Sequence, residues 1–227
     1  MGSWLGIDSV EIGAKQRFAD GKGRLAVTGY AFETQDQQLT AVGGAGNFNQ
    51  LLNADGVQGF GFEVDLAFAP TENTAVSIGY SNNQTEIQDE ALTVAACGAP
   101  CIVRDPLDGN GLALIDGNPL PQAAEHIFNA TIEGTLPLAD GQELFAYADV
   151  SHRSEVNFFL YESDEFRGDA LTEVGAQLGY RRGNAELSVF GRNLLEEEEL
   201  VGAVDFNNLT GFTNEPRQVG VALRIGL

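Results

Sequence analysis

The segment QGFGFEVDLAFA (58–69) limits what this chain can fold into more than any other stretch. Phe60, Phe62, Val64, Leu66 and Phe68 alternate with Gly59, Gly61, Glu63, Asp65 and Ala67. Successive side chains of a strand point to opposite faces, so one face here is wholly apolar and the other small or charged. The pattern recurs in TEVGAQLGYR (172–181), where Val174, Ala176, Leu178 and Tyr180 oppose Gly175, Gln177, Gly179 and Arg181. It recurs again in RQVGVALRIGL (217–227), where Val219, Val221, Leu223, Ile225 and Leu227 oppose Gln218, Gly220, Ala222, Arg224 and Gly226. Strands of this kind separate two different solvents.

The connections order these strands. Strands are expected near 9–18, 24–39, 57–69, 74–86, 125–136, 142–157, 170–181, 185–194 and 215–227. Short turns at 19–23, 70–73, 137–141 and 182–184 alternate with long stretches at 40–56, 87–124, 158–169 and 195–214. A sandwich scatters long and short loops between its ends. An outer-membrane barrel keeps short turns on the periplasmic side and long loops outside. The expectation is an all-β, antiparallel up-and-down transmembrane barrel portion with a lipid-facing apolar side and a wet inner side. Backbone groups cannot stay unpaired in hydrocarbon, so the sheet must belong to a closed barrel. An odd strand count does not suit a bacterial single-chain barrel, which points to strands or a plug beyond those read here.

Composition removes other classes. A net charge of −21 excludes a phosphate-tracking nucleic-acid binder and argues against docking on an anionic cytoplasmic surface. No apolar run is long enough for a transmembrane helix. The start, MGSWLGIDSVEIGAKQRF, lacks a basic segment followed by an apolar core and does not read as a signal peptide. Cys97 and Cys101 in ACGAPC read as a small disulfide-closed loop in an oxidising compartment, with two free thiols as the alternative. A zinc site is not expected, because His126 and His152 are remote in sequence. Nucleophile elbows, zincin helices and phosphate-cradling loops are missing, so neither enzyme chemistry nor a cofactor is expected.

Ligand-contact candidates lie in the long stretches. NFFLYESDEFR (157–167) offers Phe158, Phe159, Tyr161, Phe166 and Arg167, and DFNNLTGF (205–212) offers Phe206, Asn207, Asn208 and Phe212. Aromatic faces beside amides suit sugars or flat chelates. The same residues equally suit the aromatic girdle where strands leave a membrane. The glutamates at 196–199 read as a solvated loop face, with a divalent-cation or lipopolysaccharide contact as the alternative. DPLDGNG (105–111) reads as turn chemistry, and His152, Arg153 and Glu155 as a polar cluster facing the lumen. The Asn-x-Thr triplets at Asn83, Asn129 and Asn208 are taken as chance in a bacterial barrel.

At VFGRNLLEEEEL and GFTNEPRQVGVALRIGL the chain resembles the C-terminal end of TonB-dependent outer-membrane receptors. The matching positions are Gly191, Asn193 and Leu194 in the penultimate strand, then Pro216, Arg217 and Gly220 in the last. Segments 30–39, 56–81 and 117–138 resemble family barrel segments in the usual order. The resemblance implies active import of a scarce nutrient such as a ferric siderophore, cobalamin or a carbohydrate. It implies a plugged barrel of about 22 strands, of which residues 1–227 would be the C-terminal portion without the plug. Implied partners are outer-membrane lipid and lipopolysaccharide, the outer-membrane assembly machinery and a small-molecule ligand. The plug and the TonB complex would be met through the part of the protein N-terminal to this chain. One departure is Leu227, where the family usually ends in an aromatic residue. Rival readings are a small passive porin or adhesin barrel and a secreted all-β binding domain.

Overall fold

A computed structural model describes residues 5–43, 48–205 and 208–226. Leu227 lies outside the described residues. The main element is a nine-stranded antiparallel sheet in strict chain order. Its strands are β1 (Gly6–Phe18), β2 (Gly23–Gly43), β3 (Phe48–Thr71), β4 (Thr74–Gln88) and β5 (His126–Pro137), followed by β6 (Gln142–Arg153), β7 (Leu171–Arg182), β8 (Ala185–Arg192) and β9 (Gln218–Ile225). These are the strands expected from the alternation, and β1 and β9 are the two edges of the sheet.

Register fixes the faces. One row of cross-strand partners runs Val27–Val64–Tyr80–Phe128–His152–Thr172, and the next runs Leu25–Leu66–Ile78–Ala130–Val150–Val174. Both belong to the apolar face, which continues through Leu178–Val189–Val221 to the last strand. On β9, Val219, Val221, Leu223 and Ile225 are between 61% and 71% exposed, which in water would be an aggregation hazard. The opposite face carries the charges. Arg181 bridges Glu143 and Glu186 on its two neighbours at 2.8 Å each, and Arg192 reaches Asp149 at 2.9 Å across Gly175.

Aromatic rings lie flat against glycines of the adjacent strand. On the charged face Phe32 covers Gly59, Tyr30 covers Gly61, Phe145 covers Gly179 and Phe190 covers Gly220. A side chain at these glycines would collide with the ring. This close approach explains much of the high glycine content, 28 residues in all. The short turns share a device: Ala19–Gly21 and Ala139–Gly141 have the same sequence, and each places its aspartate in the left-handed region (Asp20 φ 56°, Asp140 φ 58°). Asp and Gly tolerate that conformation where most residues do not.

The structure corrects two parts of the sequence reading. Residues 40–43 and 48–56 are strand and not loop: β2 and β3 stay paired out to Gly43 and Phe48. Asp36, at φ 54°, interrupts the alternation. Thr34 and Val57 are buried on one side of it; beyond it Leu39 and Ala41, of the opposite parity to Thr34 on β2, and Ala54, of the opposite parity to Val57 on β3, are buried. The stretches 158–169 and 195–214 are likewise partly ribbon: Val156–Asn157 pairs with Arg167–Gly168, and Leu200–Asp205 pairs with Leu209–Thr213. A third ribbon joins Thr93–Val94 to Ala113–Leu114. These excursions pack on the outer ends of β2–β4 around Val57, Ile87, Val94, Ile115 and Tyr161, so the buried core sits in the loop layer and not beneath the sheet.

Two substitutions separate the faces. Val64→Arg, midway along the apolar row, is expected to cost about 2–4 kcal/mol in a bilayer, whereas Asp65→Asn on the other face stays near neutral. Gly61→Ala drives a Cβ into the Asn82 carbonyl and the Tyr30 ring and should cost about 1–3 kcal/mol. Urea unfolding of the intact protein in lipid vesicles checks both; equal effects of Val64→Arg and Asp65→Asn would refute the assignment of faces.

Candidate functional site

The loop layer is organised around two buried carboxylates. Asp205 ends the ribbon strand Leu200–Asp205 and is 1% exposed. Its Oδ1 accepts the Gly98 N–H at 2.7 Å and its Oδ2 accepts the Tyr161 hydroxyl at 3.0 Å. Gly98 lies inside the loop closed by a Cys97–Cys101 disulfide, whose Cα atoms are 6.1 Å apart. Three excursions that are remote in sequence therefore meet on one side chain. Burial, then the Asp205 charge, pushes the Tyr161 hydroxyl far above its ordinary range, so it stays a donor. Asp105 makes a second junction. It accepts the Glu162 N–H at 2.8 Å and the Asn118 amide at 3.1 Å, while that amide also donates to the Leu160 carbonyl at 2.9 Å. Burial raises the Asp105 carboxyl, and these two donors oppose the rise.

The aromatic candidates of 157–167 divide by burial. Phe158, Tyr161 and Phe166 are at most 6% exposed, and Phe159 is half-buried. Phe159 stacks on Tyr161 at 5.6 Å and meets Phe166 edge-on at 4.8 Å. The three buried rings are core, with no face open to a ligand or to lipid; the local pattern alone cannot distinguish an aromatic cluster packed on itself from one presented outward. Arg167 sits at the rim, paired with Glu155 at 3.3 Å and Asp169 at 3.1 Å. Asn208 is exposed and Phe212 is 53% exposed on the last ribbon, apart from that cluster. Phe206 and Asn207 lie outside the described residues.

A girdle does exist, on strands instead of loops. Phe18 stacks on Phe68 near the short turns at 5.6 Å. Toward the outer end Phe62 meets Tyr80 at 5.6 Å, and the Tyr80 hydroxyl contacts His126 Nδ1 at 2.9 Å. His152 shares this apolar face and bonds Thr172 at 2.8 Å, whereas Arg153 points the other way and reaches the Leu200 carbonyl at 2.8 Å. The expected lumen cluster of His152, Arg153 and Glu155 is therefore split between faces, as adjacent residues of a strand must be.

The motif positions form a corner. Asn193 (φ 45°) is buried, and its amide donates to the Glu197 and Glu215 carbonyls at 2.7 and 2.9 Å while its oxygen accepts the Glu197 N–H at 3.0 Å. Leu194 folds onto Gly191, where a Cβ would collide with it. Arg217, next to Pro216, pairs with Glu196 at 2.8 Å, and Gly220 lies under Phe190. The glutamate run is thus more than a solvated face: Glu196 clasps the last strand and Glu197 accepts the Thr172 N–H at 3.4 Å. In 105–111, Asp108 Oδ1 accepts the N–H groups of Asn110 and Leu112 at 2.8 Å each, a turn that holds its carboxyl below the usual range.

Asp205→Ala leaves the Gly98 N–H and the Tyr161 hydroxyl without an acceptor and is expected to cost the loop layer about 2–5 kcal/mol. Limited proteolysis of the intact protein should then nick 94–102 and 200–213 while the sheet stays protected; an unchanged digestion pattern refutes the junction. Asn193→Ala should loosen β9 instead, by about 2–4 kcal/mol, read as faster amide exchange in 215–225.

Comparison with known proteins matches this geometry to solved structures. The ferric yersiniabactin uptake receptor of Yersinia pestis superposes with a TM-score of 0.73 at 17% identity, covering 97% of this chain and 30% of that one. The siderophore receptor PiuA of Acinetobacter baumannii gives 0.70 at 16% identity over 96% of this chain and 28% of that one. The ferripyoverdine receptor of the Pseudomonas aeruginosa outer membrane gives 0.67 at 10% identity over 97% and 27%. The chain thus spans less than a third of these receptors, and at such identities the likeness is one of fold. No curated protein sequence shows significant similarity. The family profile described as TonB dependent receptor-like, beta-barrel, matches residues 7–194. Most of the sheet, from β1 through the Gly191–Leu194 corner, falls inside that match, and the chain belongs to the TonB-dependent receptor barrel family.

Proposed function

We propose that this chain is the C-terminal barrel portion of a TonB-dependent outer-membrane receptor, and that its loop layer forms part of the mouth that captures a scarce nutrient for active import. The observation that carries this reading is the open sheet. Its outward rows are free of charge over the whole central band, and its edges, β1 and β9, end the hydrogen-bonded ladder. Unpaired edge groups are not tolerated in hydrocarbon, so further strands complete the wall. A plug and contact with the TonB complex belong to that remaining part of the receptor, and the assembly machinery would meet β9, an edge strand of the sheet.

The ligand class is a ferric chelate. Support comes from the similar solved receptors, which are named for ferric yersiniabactin, siderophores and ferripyoverdine. Among the residues first picked out for ligand contact, exposed Phe212 and Asn208 and rim-placed Arg167 are the ones open to it. The acidic loop layer favours neutral or cationic chelates over polyanions. The protein transports and does not catalyse.

The test is uptake of iron-55 chelates by cells expressing the full-length receptor. Accumulation should be saturable and abolished by a protonophore, and Phe212→Ala should lower affinity by about tenfold. Entry that persists with protonophore would make the barrel a passive pore. Recovery of the protein as a detergent-free monomer would favour a secreted binding domain.

A further inference from the structure

We propose that a cleft at the outer lip of the wall seats a pyranose sugar. Beyond His126 the ladder beside β4 lapses. The Asn83 N–H bonds the Glu125 carbonyl and the Ile87 N–H bonds the Asn118 carbonyl, each at 2.9 Å, but between them β4 is reached only by the Leu120 N–H on the Thr85 hydroxyl at 3.0 Å, while the Gln122 N–H bonds the Asn157 carbonyl at 2.8 Å. The gap is a cleft of about 370 Å³. That is the low end of the range for small-ligand sites and suits one or two sugar rings.

Register sets its height. The row Val10–Ala31–Phe60–Gln84 faces outward, and the next row out, Asp8–Glu33–Gln58–Glu86, is the first on these strands to carry charge. Phe60 and Gln84 from the first row and Gln58 and Glu86 from the second all line the cleft. Asn83 and Thr85 of the inward face and Arg167 complete the lining, so the cleft opens where the hydrocarbon ends and the outer-leaflet headgroups begin, with its inner margin toward the mouth.

The lining suits a sugar. Phe60, 53% exposed, offers a flat apolar surface to the C–H face of a pyranose. Around it stand carboxylates already oriented by amides: Gln58 donates to Glu86 Oε2 at 3.2 Å, Gln84 to Glu125 Oε1 at 3.1 Å and Asn157 to Glu162 Oε1 at 2.7 Å. The described contacts of each carboxylate fall on one oxygen, and the other can accept sugar hydroxyls. Arg167 adds donors at the inner margin but is already balanced by Glu155 and Asp169. The acidic excess turns away phosphate and favours a neutral or amino sugar. The same ring could arrive on a glycolipid headgroup or free in solution.

The full-length protein, reconstituted in phosphatidylcholine vesicles, is titrated calorimetrically with glucosamine, glucose and inorganic phosphate. A sugar should bind with a Kd on the order of 1 mM and phosphate should not. Phe60→Ala and the isosteric Glu125→Gln should each weaken the sugar by about tenfold, with Glu72→Gln in a short turn as the neutral control. Native mass spectrometry of protein extracted from outer membranes separates the sources: a retained glycolipid lost in Phe60→Ala marks the headgroup, and sugar binding without retained glycolipid marks free sugar. If wild-type protein neither binds a sugar nor retains glycolipid, or if both variants bind like wild type, the proposal fails. Iron uptake can survive that failure, because Phe212 and Asn208, the other contacts proposed for the chelate, do not line the cleft.

Discussion

A sheet that meets hydrocarbon on one face cannot place charge in the central band of that face, and much of this chain's organisation follows from that restriction. Over the central band charge is confined to the other face, where Arg181 and Arg192 knit strands together through Glu143, Glu186 and Asp149. Neither side of the wall supplies the layered core of a soluble domain. The chain builds its buried cluster at one end instead, where long connections leave the membrane and fold on one another.

The loop layer is consequently cross-linked in ways that the wall is not. Its segments have little apolar area each, so polar junctions bring them into register. Asp205 gathers a disulfide-closed loop, the Tyr161 turn and the last ribbon. Asp105 gathers the Asn118 and Glu162 segments. Both carboxylates are buried, and hydrogen-bond donors in place of a cation offset their desolvation. Such a junction tolerates few substitutions, because each donor left behind would be buried and unpaired.

How much of this was legible in the sequence depends on the range of the interaction that fixes each element. The nine strands and their short turns are set by local alternation and turn chemistry, and they appear where 58–69, 172–181 and the two Ala-Asp-Gly turns place them. Reading failed at 40–56 because one residue, Asp36, enters the left-handed region and exchanges the faces, so the period is broken although the strands continue. It failed for Tyr161 and Phe166 because burial there comes from Ile87, Val94 and Ile115, and for Phe158 because it packs with Ala124 and Leu200, all remote in the chain. It missed Asp205, a lone acid in the apolar run LVGAV, where the oddity was itself the signal. The Gly191, Asn193 and Leu194 motif was visible, but its work as a corner that ties the glutamate run to the last strand needed coordinates.

The distribution of charge links this architecture to selectivity. The wall and its short turns carry nine of the twelve Lys and Arg residues, whereas the loop layer holds Asp89, Glu90, Asp116, Glu162, Glu165 and Glu198 with few cations among them. The surplus behind the net charge of −21 is therefore gathered at the outer end. A field of that sign is screened within about 8 Å at physiological ionic strength, so it acts on solutes already at the mouth and not on distant diffusion. On the proposed reading it would discriminate by sign, while exposed Phe212 would discriminate by shape. A chelate carrying net negative charge would, on the same reading, have to offset that repulsion through contacts from the rest of the mouth.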